Sequence, residues 1–275
     1  MKRVTVLALL ALVPRALAAQ GVLVAPHAVF IDNRTRSGSL TLYNPGNDPV
    51  EVSVSTLFGY PVTDSVGNFE LYTPDPPDSG APSASAWLQA FPRRMTLQPR
   101  ERQTLRLLGR PPADLPEGEY WSRLVVTAKG GQVPVAGIED TTQIRVGLTL
   151  EVRTILPVYY RKGNPSTGIT VRDLRGAIEG DSLVVRAKLE RHGTGAFLGT
   201  VRGALIDSAG TTMATFKMPL AVFYQIEPRL SAGVGALLPG QYRLRLELSS
   251  EREDLASNLL LPITPVRDST EVRVP

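Results

Sequence analysis

The chain has 275 residues, with 30 Lys and Arg, 26 Asp and Glu, and no cysteine. The lack of cysteine excludes disulfides, thiolate metal sites and a cysteine nucleophile. Its 24 glycines and 23 prolines are spread along the sequence and leave little room for long helices.

Residues 1–19 predict a secretory signal peptide. They begin Met1-Lys2-Arg3, continue with an apolar run, and end in Ala-Leu-Ala-Ala, with small residues at the spacing that a signal peptidase recognises. The apolar run is too short to span a bilayer comfortably, and an uncleaved anchor or a buried helix is the alternative. Removing this segment takes away three basic residues and no acid, so the net charge falls from +4 to +1. The basic isoelectric point of the whole chain therefore does not indicate nucleic-acid binding.

Short runs of alternating apolar and polar residues, separated by turns, predict an all-β chain. The early runs cover residues 39–43, 50–54, 103–108 and 120–127. The longest alternation covers residues 143–153 and predicts a strand with one apolar face. Two segments predict loops: residues 71–85, which are rich in Pro, Asp and Ser, and residues 129–142, which contain two adjacent glycines. No later segment is apolar and long enough to predict stable membrane insertion.

The strand pattern restarts after Gly163, which predicts a domain boundary there. Leu-Pro-Glu-Gly-Glu-Tyr at 115–120 is echoed by Leu-Pro-Gly-Gln-Tyr at 238–242. Each places a tyrosine at the start of a strand, like the tyrosine that anchors a corner in immunoglobulin-like sandwiches. Chance is the alternative, since Pro-Gly turns before strands are common. We predict two tandem immunoglobulin-like β-sandwich domains, residues 20–162 and residues 163–275.

Residues 20–162 resemble the N-terminal domain of the PapD-like periplasmic chaperones that assemble pili. The resemblance rests on seven segments in a fixed order. They are Pro-His-Ala-Val-Phe at 26–30, Ser-Leu-Thr-Leu-Tyr-Asn at 39–44, Asp-Pro at 48–49, Leu-Gln-Pro at 97–99, Gln-Thr-Leu-Arg-Leu at 103–107, Leu-Pro-Glu-Gly-Glu-Tyr-Trp-Ser-Arg at 115–123 and Leu-Pro-Val-Tyr-Tyr-Arg at 156–161. No single segment is diagnostic, but their order over roughly half the chain is moderately specific. The second domain shows only a general β-sandwich pattern.

The resemblance implies a chaperone that caps secreted pilus-type subunits in the periplasm. In that family the chaperone lends its long G strand to a subunit whose own sandwich lacks the last strand. By position, the lending side chains are Leu148, Leu150 and Val152, together with Val146. Alternation alone leaves open that this face packs on its own core. The partners so implied are pilus-like subunits and an outer-membrane usher.

The family also binds the subunit's C-terminal carboxylate with a basic pair in the cleft between its domains. The arginine of that pair falls at His27 here, and the lysine falls at Pro157. A neutral imidazole lacks a fixed charge, and proline has no donor. The candidates for an anchor are therefore His27, Arg153 and Arg161, although the two arginines also fit an ordinary surface role.

The sequence contains no recognisable catalytic constellation. His27 and His192 are the only histidines, and neither has a histidine partner at metal-binding spacing. There is no Gly-x-Ser-x-Gly elbow and no phosphate loop. We predict a non-enzymatic protein without cofactor, metal or small-molecule substrate. The favoured function is a chaperone that works by strand donation. The alternatives are a secreted structural or adhesive interaction module and, disfavoured by the scarcity of histidine, a hydrolase on a β-sandwich scaffold.

Overall fold

The structure is a computed structural model that describes residues 21–133 and 148–274. The predicted signal peptide and Val146 lie outside the described residues. For Leu148 only the backbone pairing is described. No helix in the described parts of the chain is long and apolar enough to cross a membrane.

The first half of the described chain folds into eleven strands. Their bounds are β1 Leu23–Ala25, β2 Val29–Asp32, β3 Ser37–Tyr43, β4 Val50–Leu57, β5 Tyr60–Thr63, β6 Phe69–Tyr72, β7 Leu88–Phe91, β8 Arg94–Leu97, β9 Arg102–Gly109, β10 Gly118–Val133 and β11 Leu148–Lys162. They form one sheet in the order β1-β3-β9-β7, a second in the order β2-β11-β10-β4-β8, and a separate β5-β6 hairpin.

The two larger sheets pack face to face, because their strands alternate in polarity. In β4, for example, Val50, Val52 and Val54 are buried, whereas the residues between them are exposed. The inward residues of both sheets form one hydrophobic core that extends from Val22 to Tyr160 along the chain. This arrangement is a β-sandwich.

The second half forms a further sandwich. Its strands are β12 Thr167–Glu179, β13 Ser182–Gly193, β14 Phe197–Ile206, β15 Thr212–Val222, β16 Gln225–Ile226, β17 Arg229–Gly233, β18 Gly240–Ser249 and β19 Val266–Val274, with a 3-10 turn at Ser257–Leu259. One sheet has the order β12-β13-β16, with β17 also paired to β13, and the other has the order β15-β14-β18-β19.

The core of this second sandwich begins at Ile169 and ends at Val272, and it shares no residue with the first core. The prediction of an all-β chain with two tandem immunoglobulin-like sandwiches is confirmed. The first core ends at Tyr160 and the second begins at Ile169, so the boundary lies between these residues. We propose that it lies between residues 162 and 163.

A third apolar cluster joins the two sandwiches. Phe58, Trp121 and Tyr159 from the first sandwich pack with residues of the second. The second sandwich contributes Ala196, Leu198, Phe223 and Leu260. The outward face of the β2-β11-β10-β4-β8 sheet is therefore covered, in part, by the second sandwich.

The two echoed tyrosines make equivalent contacts. The hydroxyl of Tyr120 donates to the carbonyl oxygen of Pro116 at 2.9 Å, and the hydroxyl of Tyr242 donates to that of Leu238 at 2.9 Å. Each bond ties the start of a strand to the turn four residues earlier, as in the tyrosine corner of immunoglobulin-like domains. The interpretation of the echo as structural is confirmed.

Two loop predictions are wrong in part. Within residues 71–85, Leu71 and Tyr72 complete β6, and Ala84 is fully buried. The Trp121 amide donates to the Pro82 carbonyl at 2.7 Å, because β4 pairs with β10 only from Arg123 onward and leaves Trp121 free to pair with this segment.

The second loop was predicted over residues 129–142. Instead, β10 continues through Gly130 and Gly131 to Val133, with a register shift between Gly130 and Gln132. A bulge of this kind accommodates glycines within a strand, so the pair does not end it. Residues 134–142 lie outside the described residues.

Candidate functional site

The long strand β11 has a partly open edge. On one side it pairs with β10 along its whole length, from Leu148 opposite Val133 to Lys162 opposite Gly118. On its other side β2 pairs in parallel only with residues 158–161. Within the described chain, no strand pairs with this second side of residues 148–157. The N–H and C=O groups of such an edge can pair with an added strand.

The edge is open because the first segment of the chain changes sheet. β1 pairs with β3 in the opposite sheet, and the chain crosses over at Pro26 and His27 before β2 joins β11. β2 is only four residues long, so it covers the last part of β11 and ends. The topology therefore exposes the half of β11 that the sequence predicts as the donor strand.

From Leu150 onward, the even-numbered side chains of β11 lie on the face that continues into the first core. Leu156 and Val158 are buried in that core. Val152 is half-buried, and Leu150 is 46% exposed. Leu150 lies opposite Gly130, which has no side chain to cover it. Val152 and Leu150 thus extend the apolar face of the core to a position that solvent reaches.

The odd-numbered face of the same segment carries charge at Glu151 and Arg153. Glu151 forms ion pairs with Arg153 at 2.7 Å and with Lys129 at 3.3 Å. Hydrogen bonds from Arg153 and then from Lys129 hold the pKa of the Glu151 carboxyl below its ordinary value. Arg153, one of the predicted anchor candidates, is therefore engaged with Glu151 on an exposed surface.

Arg161, the second predicted candidate, is engaged in a buried contact between the sandwiches. Its Nε donates to Oε2 of Glu119 at 2.7 Å, and its Nη1 donates to the Leu259 carbonyl at 2.6 Å. Glu119 has no exposed side-chain area and also accepts from the indole of Trp121 and from the amide of Ala196, each at 2.9 Å. Ala196 and Leu259 belong to the second sandwich, so this pair links the two.

His27, the third candidate, is exposed at the crossover between β1 and β2. It lies near Asp254 of the second sandwich. The pKa of the Asp254 carboxyl is lowered mainly by its hydrogen bonds from Arg252, and His27 adds a small further lowering. Arg252 is held by both carboxylate oxygens of Asp254 and by the Leu220 carbonyl. The guanidinium of Arg252 is therefore already satisfied by the protein.

Arg123 is a basic residue of this region that the sequence interpretation missed. The residue is 8% exposed, its Nε donates to the Gly59 carbonyl at 2.9 Å, and its guanidinium lies 5.1 Å from the centre of the Phe223 ring. Burial lowers its pKa, and Tyr159 is the one group whose charge acts against that shift. Among the ion pairs of the described residues, none contains Arg123.

Tyr159 lies beside this arginine at the junction of the sandwiches. Its ring stacks on Phe30 with centroids 4.8 Å apart. Burial raises the pKa of the Tyr159 hydroxyl, and the charges of Arg123 and Arg252 act in the opposite direction. The available signal in the sequence was a charged residue, Arg123, directly before the apolar run Leu124 to Val126 in the same strand. Only the structure places that arginine against the second sandwich.

No protein-family model matches the chain, and no curated protein matches it. Among solved structures, the chain is similar to one from the CsuC–CsuE chaperone–tip adhesion subunit complex of Acinetobacter baumannii. The TM-score is 0.45 at 12% identity, over 92% of this chain and 98% of that one. It is also similar to a chain of the Salmonella enterica SafA pilin–SafB chaperone complex, with a TM-score of 0.44 at 14% identity over 92% and 98%. For the CupB2 chaperone of Pseudomonas aeruginosa the TM-score is 0.39 at 13% identity, over 92% of this chain and 100% of that one.

Proposed function

We propose that this protein is a periplasmic chaperone that binds pilus-type subunits by adding the open edge of β11 to an incomplete subunit sandwich. The observation that carries the proposal is the side of residues 148–157 with which no strand in residues 21–133 and 148–274 pairs, together with the exposure of Leu150 in that segment. A long strand of this kind is an aggregation hazard unless a partner covers it. Adding a strand gives affinity through main-chain hydrogen bonds and specificity through alternate side chains.

In this proposal the even-numbered face of β11 supplies the side chains that enter the partner's groove. Leu150 is the central residue, because it is apolar and exposed at an edge that no strand of the described residues covers. Val152 follows towards the core, and Leu148 and Val146 extend the series in the other direction. An outer-membrane usher is the proposed recipient of the bound subunit.

For the partner's C-terminal carboxylate we propose Arg123 as the main anchor. Its Nε is used by Gly59, which leaves the two terminal nitrogens of the guanidinium to meet a carboxylate. Arg153 and Arg161 each already pair with a carboxylate, although Nη2 of Arg161 is buried without a hydrogen-bond partner among the described residues. His27 is exposed and lacks the fixed charge of an arginine. A guanidinium that is already withdrawn from water attracts a carboxylate more strongly than an exposed one does.

Site-specific photo-crosslinking in the periplasm tests the proposal. A benzophenone amino acid at position 150 should crosslink to a secreted immunoglobulin-like subunit that lacks its own last strand. The same amino acid at position 153, on the opposite face of the same strand, is the matched control and should crosslink less. Crosslinks only to complete, structurally self-sufficient surface proteins would favour the interaction-module alternative. No crosslinked partner from position 150 would contradict strand donation there.

A further inference from the structure

The β5-β6 hairpin leaves the first sandwich and reaches the second. Its strands pair with each other, from Tyr60 opposite Tyr72 to Thr63 opposite Phe69, and with no other strand in the described residues. The ring of Tyr60 contacts that of Tyr224 at a centroid distance of 4.8 Å. The hairpin is therefore an appendage of one sandwich with its contacts on the other.

Three hydrogen bonds fix the tip of this hairpin to the second sandwich. The Arg229 amide donates to the Gly67 carbonyl at 3.0 Å, and the Arg186 side chain donates to the Val66 carbonyl at 2.6 Å. The Glu227 amide donates to the Thr63 hydroxyl at 2.8 Å. Since two of the three bonds use backbone amides of the second sandwich, they depend on a close approach of the hairpin to that backbone.

Gly67 makes that approach possible. It has a φ of +90°, and a Cβ atom added there would lie 2.5 Å from the Arg229 nitrogen and 2.8 Å from the Arg229 Cβ. Distances below about 3 Å to backbone atoms require the backbone to move, so a side chain at this position would push the hairpin away from β17. Gly67 is buried although its neighbour Val66 is 52% exposed.

Tyr60 at the base of the hairpin packs on Phe223 of the other link between the sandwiches, with ring centroids 6.2 Å apart, but the hairpin tip makes contacts of its own. The Glu119–Arg161 pair and the Trp121 cluster hold the region around Ala196, Phe223 and Leu259. The hairpin holds Arg186 and Arg229, which pair with each other across β13 and β17. One contact beside a linker leaves two bodies free to rock, whereas a second contact on another strand removes that freedom.

We propose that the β5-β6 hairpin is an interdomain clasp that fixes the angle between the two sandwiches, and that Gly67 is its positioning residue. The clasp sets the geometry of the junction that contains Arg123 and Tyr159. Its consequence for partner binding rests on the proposed function, but the clasp itself does not. The angle can therefore be measured on the free protein.

The chain contains its own matched control for Gly67. The turn at residues 207–211 repeats the hydrogen bonds of the turn at residues 64–68: an aspartate side chain accepts two backbone amides, and the glycine amide donates to the aspartate carbonyl at 3.1 Å in both. Gly210 has a φ of +87°, and an added Cβ would meet nothing within 4 Å. A side chain at either glycine therefore strains the same turn, but only Gly67 faces the other sandwich.

The test measures the distance between spin labels on the two sandwiches by pulsed electron paramagnetic resonance. Because the chain has no cysteine, Thr104→Cys on β9 and Thr215→Cys on β15 place both labels at exposed strand positions without further changes. In this background, Gly67→Val should broaden the distance distribution, and Gly210→Val should leave it unchanged. Hydrogen exchange of the Arg229 amide should accelerate in Gly67→Val alone.

If Gly67→Val does not fold, the pair Thr63→Val and Arg186→Met removes two of the three bonds without inserting bulk, and it should broaden the distribution in the same way. Equal behaviour of Gly67→Val and Gly210→Val would overturn the proposal. So would faster exchange at Arg229 with an unchanged distance, because the hairpin would then dock without fixing the angle. A broadened distance with unchanged partner binding would support the clasp and count against its role in the proposed function.

Discussion

Arg123 on β10 lies directly opposite Pro157 on β11 in the antiparallel ladder between these strands. Residues opposite each other in such a pair project to the same face of the sheet. The resemblance to pilus chaperones places a lysine at position 157, where this chain has a residue without a donor. A basic side chain is thus present on the same face, one strand away from the expected position.

Replacing Arg123 with methionine should weaken binding of the partner without unfolding the protein. Loss of charge-assisted hydrogen bonds to a carboxylate lowers binding by about 1.5–3 kcal/mol, on the order of tenfold to a hundredfold in affinity. Stability should fall only modestly, because the Gly59 carbonyl loses its donor while an apolar side chain replaces a buried cation that has no ion-pair partner among the described residues. Calorimetric titration with the captured subunit and urea unfolding measure the two effects.

Arg153→Met is the control for this prediction, since Arg153 is 68% exposed and pairs with Glu151. It should leave both affinity and stability nearly unchanged. A large loss of stability in Arg123→Met with unchanged affinity would assign that arginine to the junction between the sandwiches rather than to a binding site.

Leu150→Asp and Leu156→Asp should separate the two halves of β11. Both side chains lie on the even-numbered face, but Leu150 is 46% exposed and Leu156 is 4% exposed. A carboxylate at position 156 would be buried without a partner, so Leu156→Asp should destabilise the fold by several kcal/mol. Leu150→Asp should leave the melting temperature close to that of the parent and abolish partner binding. A large fall in melting temperature for Leu150→Asp would reject donation at this position.

Breaking the buried Glu119–Arg161 ion pair between the sandwiches should strongly destabilise the fold. Glu119→Ala leaves the Arg161 guanidinium without its carboxylate and the Trp121 indole without its acceptor. Removing one partner of a buried ion pair destabilises by about 3–5 kcal/mol. Urea unfolding should show this loss. The double variant Glu119→Ala with Arg161→Met should recover part of it, because no uncompensated charge remains. Strictly additive losses would mean that the two side chains do not stabilise each other.

The sandwiches themselves were predictable from the sequence, because their strands carry a local signal. Alternation at Val50, Val52 and Val54 marks the inward face of β4 without reference to any other part of the chain. The tyrosine corners were found in the same way, since Tyr120 and Tyr242 each bond only four residues back. Such features depend on residues close in sequence, where patterns are readable.

The junction was not predictable, since its contacts join residues far apart in the chain. Gly67 meets Arg229, and Glu119 meets the amide of Ala196. The sequence around each of these residues gives no indication of its partner. The exposed-loop prediction for Ala84 failed for the same reason: a segment rich in proline pairs with Trp121 at a place where β4 does not reach. The donor-strand residues were located by the resemblance, because alternation alone does not distinguish an exposed apolar face from a core.

Stability should decline above about pH 10 with a contribution from Tyr159. Burial raises the pKa of its hydroxyl in the folded protein above the ordinary value of about 10, so the unfolded chain loses this proton first. The unfolded state then binds fewer protons than the folded state, and the free energy of unfolding falls as the pH rises, by at most about 1.4 kcal/mol per pH unit for one group. Tyr159→Phe keeps the ring that stacks on Phe30 but cannot ionise. Urea unfolding between pH 9 and pH 11 should therefore give a shallower decline for Tyr159→Phe than for the parent. Parallel curves for the two proteins would mean that the hydroxyl of Tyr159 is as free to ionise in the folded state as in the unfolded chain.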